Sequence, residues 1–431
     1  MKGLHVGWVT VLVCVVGLLG PLGCQKPSSR PETSKPRAQQ EGELASPSAK
    51  FSPSPPEVRC LKLGEEEAAS VVYVQGYPLV FTGQVFPEAE EKGTIPDALE
   101  DQLALAWRRL EAILEKAGSQ KEKIVRIGIC VGQEDDAAPA NAFVRQQFSK
   151  DWLPAITTVV TPLPYPKSRV AFDAVAYLEG QPEDVRLVRL SDDPNAPHDA
   201  AVCPQGGLVF FSGQPDKNPL PGAVENAMKA LFETAQNLHV EKKDILQIRV
   251  FLQPMSEAPA VLNELRKAFP EAVMPPVIFV EWIASAPVEI EMVARLPAQA
   301  DLGGDVVRFY NPPGVKPSAT FSRVTLVRTD RFIFFPALLS RKDGSGAEQV
   351  DDIFAQLIEG LKVVGSDIRH LLKATYYVVD KEASDAVDDV RKKLYDPQRP
   401  PAASKVTIHG VGQAGRTVSV DMIAAPAVAA Q

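Results

Sequence analysis

The sequence has few of the residues that build metal and redox sites. It contains 5 cysteines and 5 histidines, and neither type recurs at a spacing typical of metal ligands. No CxxC pair occurs, and the three cysteines after Cys24 stand far apart in apolar surroundings, which favours buried thiols. We therefore predict no metal site and no cofactor.

The chain also lacks an excess of positive charge and, beyond its first residues, any long apolar run. Its formal net charge is −8, so nothing in the bulk charge attracts nucleic acid. No segment after the N-terminus is apolar enough to span a bilayer. The 431 residues, with 45% hydrophobic and 23% charged side chains, suit a globular protein of about three domains that does not bind nucleic acid.

Residues 1–24 are typical of an export signal, with an early lysine, an apolar run and small residues before Cys24. The end of the segment resembles the lipobox of bacterial lipoproteins, whose cysteine receives diacylglycerol, although Pro21 departs from that pattern. Residues 25–56 are rich in Pro, Ser, Lys and Glu, which predicts a disordered tether. We expect a membrane-anchored lipoprotein of the cell envelope or periplasm, or a secreted protein if Cys24 is not lipidated.

One short phrase occurs three times, at intervals of about 125 to 130 residues. It reads Val80-Phe81-Thr82-Gly83-Gln84, then Phe210-Phe211-Ser212-Gly213-Gln214, and returns degraded as Phe334-Phe335-Pro336-Ala337-Leu338. An apolar run that ends in polar residues is typical of a buried strand that delivers polar groups to a cleft. Five of these residues are therefore candidate ligand-binding groups. They are Thr82, Gln84, Ser212, Gly213 and Gln214. The alternative is that they satisfy backbone groups at the strand end.

Each phrase belongs to a unit of about 120 residues. A short strand opens the unit, a strand pair leads to the phrase, and then come a helix, a central strand, a second helix and two strands. Apolar residues at steps of three and four give each first helix one buried face. The pattern predicts an α/β fold with a mixed sheet and both helices on one face. We assign the domains to residues 57–181, 182–299 and 304–426.

The bare face of each predicted sheet needs a partner, and the nearest candidate is the next copy. We therefore expect three copies packed around a pseudo-threefold axis in a monomeric chain. This arrangement resembles the RidA (YjgF-type) family of imine deaminases, which are homotrimers of the chorismate-mutase-like fold with ligand clefts between subunits. The resemblance rests on the phrase, on a proline before the penultimate strand and on an acid in the last strand. The acids are Asp173, Glu291 and Asp421.

The resemblance implies that an arginine at the start of the penultimate strand grips a substrate carboxylate. The acid on the last strand then helps to place the water that adds to a C=N bond, which releases ammonia. Here the three arginine positions hold Ile156, Val277 and Ala403. Losing one partner of such a pair costs about 2–5 kcal/mol. Candidate replacements are Arg169, Lys405 and Arg399, which are equally typical of surface charges.

Two functions follow, and whether the chain is an enzyme stays open. In the first, the protein binds a small ligand at clefts between domains, or serves as a scaffold, with degenerate deaminase sites that include Asp173 and Asp421. In the second, it is a deaminase-type hydrolase for a substrate without a carboxylate, with Glu291 as the catalytic residue beside Ser212 and Gln214. The third copy is interpreted as structural because its phrase has lost the polar residues.

Overall fold

A computed structural model describes residues 53–63, 70–88, 94–194, 196–269 and 273–427. The predicted signal, the tether up to residue 52 and Cys24 lie outside the described residues and stay predictions. No helix in the described ranges is long and apolar enough to cross a membrane. Within the same ranges, no group of three or more His, Cys, Asp or Glu side chains is placed to hold a metal ion.

The described chain folds as three successive copies of one pattern, three strands, a helix, a strand, a helix and two strands. The first copy contains β1 (Glu57–Lys62), β2 (Ser70–Gln75), β3 (Leu79–Thr82), α1 (Leu99–Ala117), β4 (Ile124–Val131), α2 (Ala137–Gln146), β5 (Ala155–Val160) and β6 (Val170–Tyr177). The second contains β7 (Arg186–Val188), β8 (Ala200–Cys203), β9 (Leu208–Asp216), α3 (Gly222–Asn237), β10 (Ile245–Leu252), α4 (Ala258–Ala268), β11 (Val277–Glu281) and β12 (Val288–Arg295).

The third copy has the same order with one added short strand, β16. It contains β13 (Val307–Tyr310), β14 (Val324–Val327), β15 (Arg331–Phe334), β16 (Leu338–Leu339), α5 (Gly346–Val363), β17 (Leu371–Val378), α6 (Lys381–Leu394), β18 (Ala402–Thr407) and β19 (Val418–Ala424). Local signals explain its first helix, because Ser345 and Glu348 form a capping box that satisfies backbone N–H groups at the start of α5. The predicted order of helices and strands is confirmed.

The three sheets are mixed, and each combines strands from two copies. Their orders are β5-β4-β6-β3-β8-β7, then β11-β10-β12-β9-β14-β13, then β18-β17-β19-β15-β2-β1 with β16 beside β19. The first two strands of every copy thus complete the sheet of another copy. Because β1 and β2 complete the third sheet, backbone hydrogen bonds close the three copies into a ring.

This exchange corrects one expectation from the sequence. The sequence predicts that the two strands leading to each phrase pair with each other. In the first copy, β2 instead pairs with β15 and β3 pairs with β8. A strand turn such as that at Gly76, which has a left-handed φ of 72°, therefore separates two sheets instead of forming a hairpin within one. The domain bounds assigned from the sequence stay a prediction, and hydrogen-bonded sheets cross them.

Each sheet has two buried faces. The helices cover the outer face, as in the second copy, where α3 and α4 pack on β9, β10 and β12. The inner faces of the three sheets pack against one another in a shared apolar core. Its large fully buried side chains come from all three copies and include Phe81, Phe210, Leu246, Phe334 and Leu372. The bare faces are buried together, as their apolar pattern predicts.

Candidate functional site

The three acids of the last strands, Asp173, Glu291 and Asp421, do not lie in separate clefts. They meet at the centre of the molecule, where each is paired with a cation from a neighbouring copy. Arg126 of the first copy contacts Asp421 of the third at 2.5 Å, Arg249 of the second contacts Asp173 of the first at 3.5 Å, and Lys373 of the third contacts Glu291 of the second at 2.6 Å. We call these six residues the ionic ring.

Side chains around the ionic ring leave almost no free space. Thr157 donates a hydrogen bond to Asp421 at 2.8 Å, and Ser404 donates one to Glu291 at 2.6 Å. A cavity beside Arg126 and Arg249 measures only about 10 Å³, which is the size of one water site. The carboxylate of Asp173 lies directly over Gly128, where an added Cβ would come within 2.0 Å of Oδ2. Glycine at position 128 thus makes room for the ring.

Electrostatics favour the charged form of two acids of the ionic ring, Asp421 and Glu291. Burial alone would raise the pKa of Asp421, but the charges of Arg126 and Arg249, together with the hydrogen bonds from Arg126 and Thr157, hold the pKa below its ordinary value. The same balance of burial against Lys373 and Arg249 lowers the pKa of Glu291. Buried ions are stable only when paired and hydrogen-bonded, so the geometry suits a structural link between the copies. The catalytic role of Glu291 and the ligand-binding roles of Asp173 and Asp421 stay predictions.

The first phrase lies against the penultimate strand of the second copy. The side-chain amide of Gln84 pairs with the backbone of Phe279, donating to its carbonyl at 3.1 Å and accepting from its N–H at 3.0 Å. The hydroxyl of Thr82 accepts the Ala174 N–H at 2.8 Å. Both side chains thus satisfy backbone groups, which was the alternative considered for them.

The second phrase contacts the penultimate strand of the third copy in a similar way. The Ser212 hydroxyl donates to the Ser322 carbonyl at 2.6 Å and accepts the Ala403 N–H at 2.7 Å. Gly213 lies under Glu289, where an added Cβ would come within 1.8 Å of Oε1. The Gln214 amide donates locally to Pro215 at 3.3 Å. These contacts account for the hydroxyl and the glycine without a ligand.

Glu289 is an acid that the motif comparison missed. It precedes Glu291 by two residues on β12, so both side chains face the same side of the sheet. Burial, reinforced by the negative charge of Glu291, raises the pKa of Glu289 to about 7. The period of two along a strand is the signal that could have identified it.

The third phrase borders a large cavity. Ala337 donates a backbone hydrogen bond to the Ile156 carbonyl at 2.9 Å, but Pro336 and Leu338 have no polar side chains with which to bond the facing strand. A cavity of about 900 Å³ opens beside this contact, between the third copy and the first. Its walls come from α2 and β5 of the first copy, and from the phrase, α5 and the β18–β19 loop of the third. The copy interpreted as structural therefore borders the large cavity.

Ile156, at one of the lost arginine positions, lines this cavity. The three candidate replacements do not, and each forms an ion pair elsewhere. Arg169 pairs with Asp136, Lys405 with Asp388 at 2.7 Å, and Arg399 with Asp305 at 2.7 Å. The arginines that do line the cavity are Arg145, Arg341 and Arg416. These arginines lie outside the motifs that recur in the three copies, so the repeats do not identify them as site residues.

Three mixed sheets, with helices outside and a common core between them, define the RidA/YjgF type of fold. Comparison of the sequence with protein families supports this class. The model of the family Ribonuc_L-PSP, described as endoribonuclease L-PSP, matches residues 66–178 and 315–426, which together are more than half of the chain. The chain belongs to this family. The matches cover the first and third copies and leave the second between them.

The solved structures that are similar to this chain match it over about the length of a single copy. NMB1025, a YjgF-family protein from Neisseria meningitidis, is 22% identical over 28% of this chain and 97% of its own, with a TM-score of 0.22. The YjgF gene product of E. coli is 21% identical over 29% of this chain and 89% of its own, with a TM-score of 0.21. The protein YEO7 of yeast is 16% identical over 30% and 100%, with a TM-score of 0.23. No curated protein matches the chain.

Proposed function

We propose that the protein binds a small molecule in the cavity between its third and first copies, and that it does so without catalysing a reaction. The observation that carries this proposal is the cavity itself, about 900 Å³ in volume. This volume lies within the range of small-molecule binding sites. The cavity lies where one copy meets another. The resemblance to RidA homotrimers, which have ligand clefts between subunits, predicts a ligand site at such a junction.

The lining residues favour binding over catalysis. None of the described residues that line the cavity is Asp, Glu, His, Cys, Lys or Tyr. The polar lining consists of hydroxyls, amides and guanidinium groups, with Thr158 and Asn141 bonded to each other at 3.0 Å. A hydrolase needs a group that can accept or deliver a proton near the reacting bond. The described wall offers hydrogen bonds and positive charge, but no such group.

The other two junctions, at the first and second phrases, then hold the three copies together around the cavity. Their phrases bond directly to the facing strands, and the ionic ring ties the copies together at the centre. Covalent linkage of the copies keeps the open junction assembled at any protein concentration. Fusion also lets one junction diverge while the others serve stability.

The test compares the protein with a variant whose cavity is filled. Ala142 is an exposed residue of α2 that lines the cavity, so Ala142→Trp should fold and occlude it. The measurement is the shift of melting temperature by members of a metabolite library. We expect compounds that stabilise the original protein and fail to stabilise Ala142→Trp. Gln146→Trp, an exposed change on the same helix outside the cavity, is the matched control and should respond like the original.

Two results would contradict the proposal. One is that no compound stabilises the protein, or that Ala142→Trp keeps every response. The other is release of ammonia from 2-aminoacrylate at a rate that Glu291→Ala abolishes, which would show that the protein is a deaminase. Ala337→Phe fills the cavity from the opposite wall and provides a second variant for the same comparison.

A further inference from the structure

The penultimate strands β5 and β11 each pair with the central strand of their own copy along one edge and present the other edge to a neighbouring copy. On β11, that edge is bonded by a single glutamine. The Gln84 N–H donates to the Val277 carbonyl at 3.0 Å. The Gln84 side-chain amide bonds both the carbonyl and the N–H of Phe279, at 3.1 and 3.0 Å. One residue thus satisfies the backbone of two successive residues on this edge.

The equivalent edge of β5 borders the large cavity and lacks that amide. The Ala337 N–H donates to the Ile156 carbonyl at 2.9 Å, so Ala337 takes the place that Gln84 has at the first phrase. Its methyl group cannot hydrogen-bond the next residue of the edge, Thr158, which is buried and lines the cavity. Within the part of the chain that the structure describes, no group bonds the backbone N–H or C=O of Thr158 on this edge.

The free part of this edge is one residue long. The Ile156 carbonyl before it is bonded to Ala337, and the Val160 N–H beyond it donates to the Gly410 carbonyl at 2.9 Å. Thr158 lies between the two, and because the backbone groups of a strand point alternately to its two edges, its N–H and C=O face the same way as theirs. A peptide strand would need several successive residues to pair, whereas a single amide group fits one residue.

We propose that the cavity recognises a small molecule through a primary carboxamide, which bonds the Thr158 backbone as the Gln84 side chain bonds Phe279. This inference rests on the binding function proposed above. A buried N–H and C=O without partners are costly, so a ligand group that donates and accepts at once gains from both. A carboxylate accepts from the N–H but has no proton to donate to the carbonyl. The edge therefore favours a carboxamide over an acid of the same shape.

The experiment compares three probes with the same hydrocarbon chain on the unmodified protein, by ligand-observed NMR titration at neutral pH. The probes are hexanamide, hexanoate and N,N-dimethylhexanamide, which has no N–H to donate. Their hydrocarbon suits apolar lining residues such as Ile156 and Val411. We expect hexanamide to bind about tenfold more tightly than either of the others, because each of them loses a hydrogen bond to a buried group. Equal affinities, or tightest binding of hexanoate, would overturn the carboxamide inference.

Ala337→Gln tests the assigned position, because it restores at the open junction the amide that Gln84 supplies at the first phrase. We expect Ala337→Gln to raise the melting temperature and to weaken hexanamide binding by about tenfold or more. Ala337→Glu has the same shape without the donor and should not gain this stability. Gln146→Trp, outside the cavity, should bind hexanamide like the original protein. Unchanged hexanamide affinity in Ala337→Gln would overturn the assignment to Thr158, and the probe comparison decides without any variant if neither substitution folds.

The outcomes separate this inference from the binding function. If metabolites stabilise the protein but not Ala142→Trp, and neither they nor hexanamide bind through a carboxamide, the inference fails and the binding function stands. If hexanamide does not bind but metabolites with a carboxamide do, and Ala337→Gln abolishes their effect, the inference stands. If no compound binds, the binding function is overturned and the inference with it.

Discussion

The second phrase keeps the polar residues expected at a ligand cleft and the third has lost them, yet it is the third phrase that borders a large cavity. The second keeps Ser212 and Gly213, the residues expected at a ligand cleft, yet the serine bonds to backbone groups of the third copy and the glycine lies under Glu289. The third has Pro336 and Ala337 at the same positions and borders a cavity of about 900 Å³. The junction with the better motif is joined by side-chain hydrogen bonds, whereas the junction with the degraded motif keeps a backbone hydrogen bond beside an open cavity.

The difference teaches how polar groups act at a junction. A hydroxyl or amide that satisfies backbone groups on the facing strand draws the two strands together, because an unpaired buried polar group is costly. Where proline and leucine replace the hydroxyl and the amide, that link is missing, and space remains for a ligand. Retention of a motif in one copy therefore indicates its structural use as readily as its chemical use.

The largest expected loss of stability is at the ionic ring, whose residues come from all three copies and therefore link every junction. Arg126→Met removes the ion-pair partner of Asp421 and one of the two cations that contact Asp173. We expect the free energy of unfolding to fall by about 3–5 kcal/mol, because the buried Asp421 carboxylate loses its partner in the core. Urea unfolding followed by circular dichroism measures the change.

The control for this variant is a surface pair. Lys381, with an 85% exposed side chain, pairs with Asp385 within α6. Lys381→Met should cost less than about 1 kcal/mol, since solvent screens exposed ion pairs. Similar losses in the two variants would show that the ring does not hold the copies together.

An intermediate effect is expected at Glu289 beside the second phrase. Its pKa is raised from 4.5 to about 7, so the folded state favours the protonated acid. The cost of ionising Glu289 is absent below about pH 4.5, grows as the pH rises, and is complete above about pH 7. Glu289→Gln should therefore stabilise the protein at pH 8 by about 2–3 kcal/mol and change little at pH 4.5.

Urea unfolding of Glu289→Gln at both pH values measures this difference. The charged neighbours that act on Glu289 are Glu291, Lys373 and Arg323, and none of them is changed. Glu225→Gln, an exposed change on α3, is the control and should be neutral at either pH. An equal gain of Glu289→Gln at the two pH values would contradict the assigned cause.

The smallest expected effect sharpens the contrast between the two phrases. Ser212→Ala leaves the Ser322 carbonyl and the Ala403 N–H without their partner, which should cost about 1–3 kcal/mol. Gln413→Ala, at an exposed residue lining the open cavity, should change stability by no more than about 0.5 kcal/mol. Thermal unfolding of the two variants compares the junctions. A neutral Ser212→Ala would show that the hydroxyl does not join the copies.

Much of the fold could be read from periodicity. Steps of three and four located α1, α3 and α5, and apolar runs located β4, β10 and β17, because core burial imposes both patterns. The shared inner core also followed, since bare apolar faces must be covered. Strand pairing could not be predicted, because β2 is apolar enough to pair with either neighbouring sheet and only the assembled ring selects β15.

The candidate site was far less predictable. Glu291 and Asp421 were identified as acids, but the cations that neutralise them, Lys373 and Arg126, stand on the central strands, where they look like single interruptions of apolar runs. Arg341 and Arg416 lie on loops of the third copy, and Arg145 lies on α2 of the first. They come together only when the third copy meets the first.

The sequence alone determined the repeats, the helices and strands of each copy, and the need to bury three sheet faces, because these depend on local periodicity and hydrophobic burial. The tertiary structure decided which copies exchange strands, which polar side chains join a junction and which junction stays open. Those outcomes depend on contacts between residues hundreds of positions apart, whose distances no local pattern encodes.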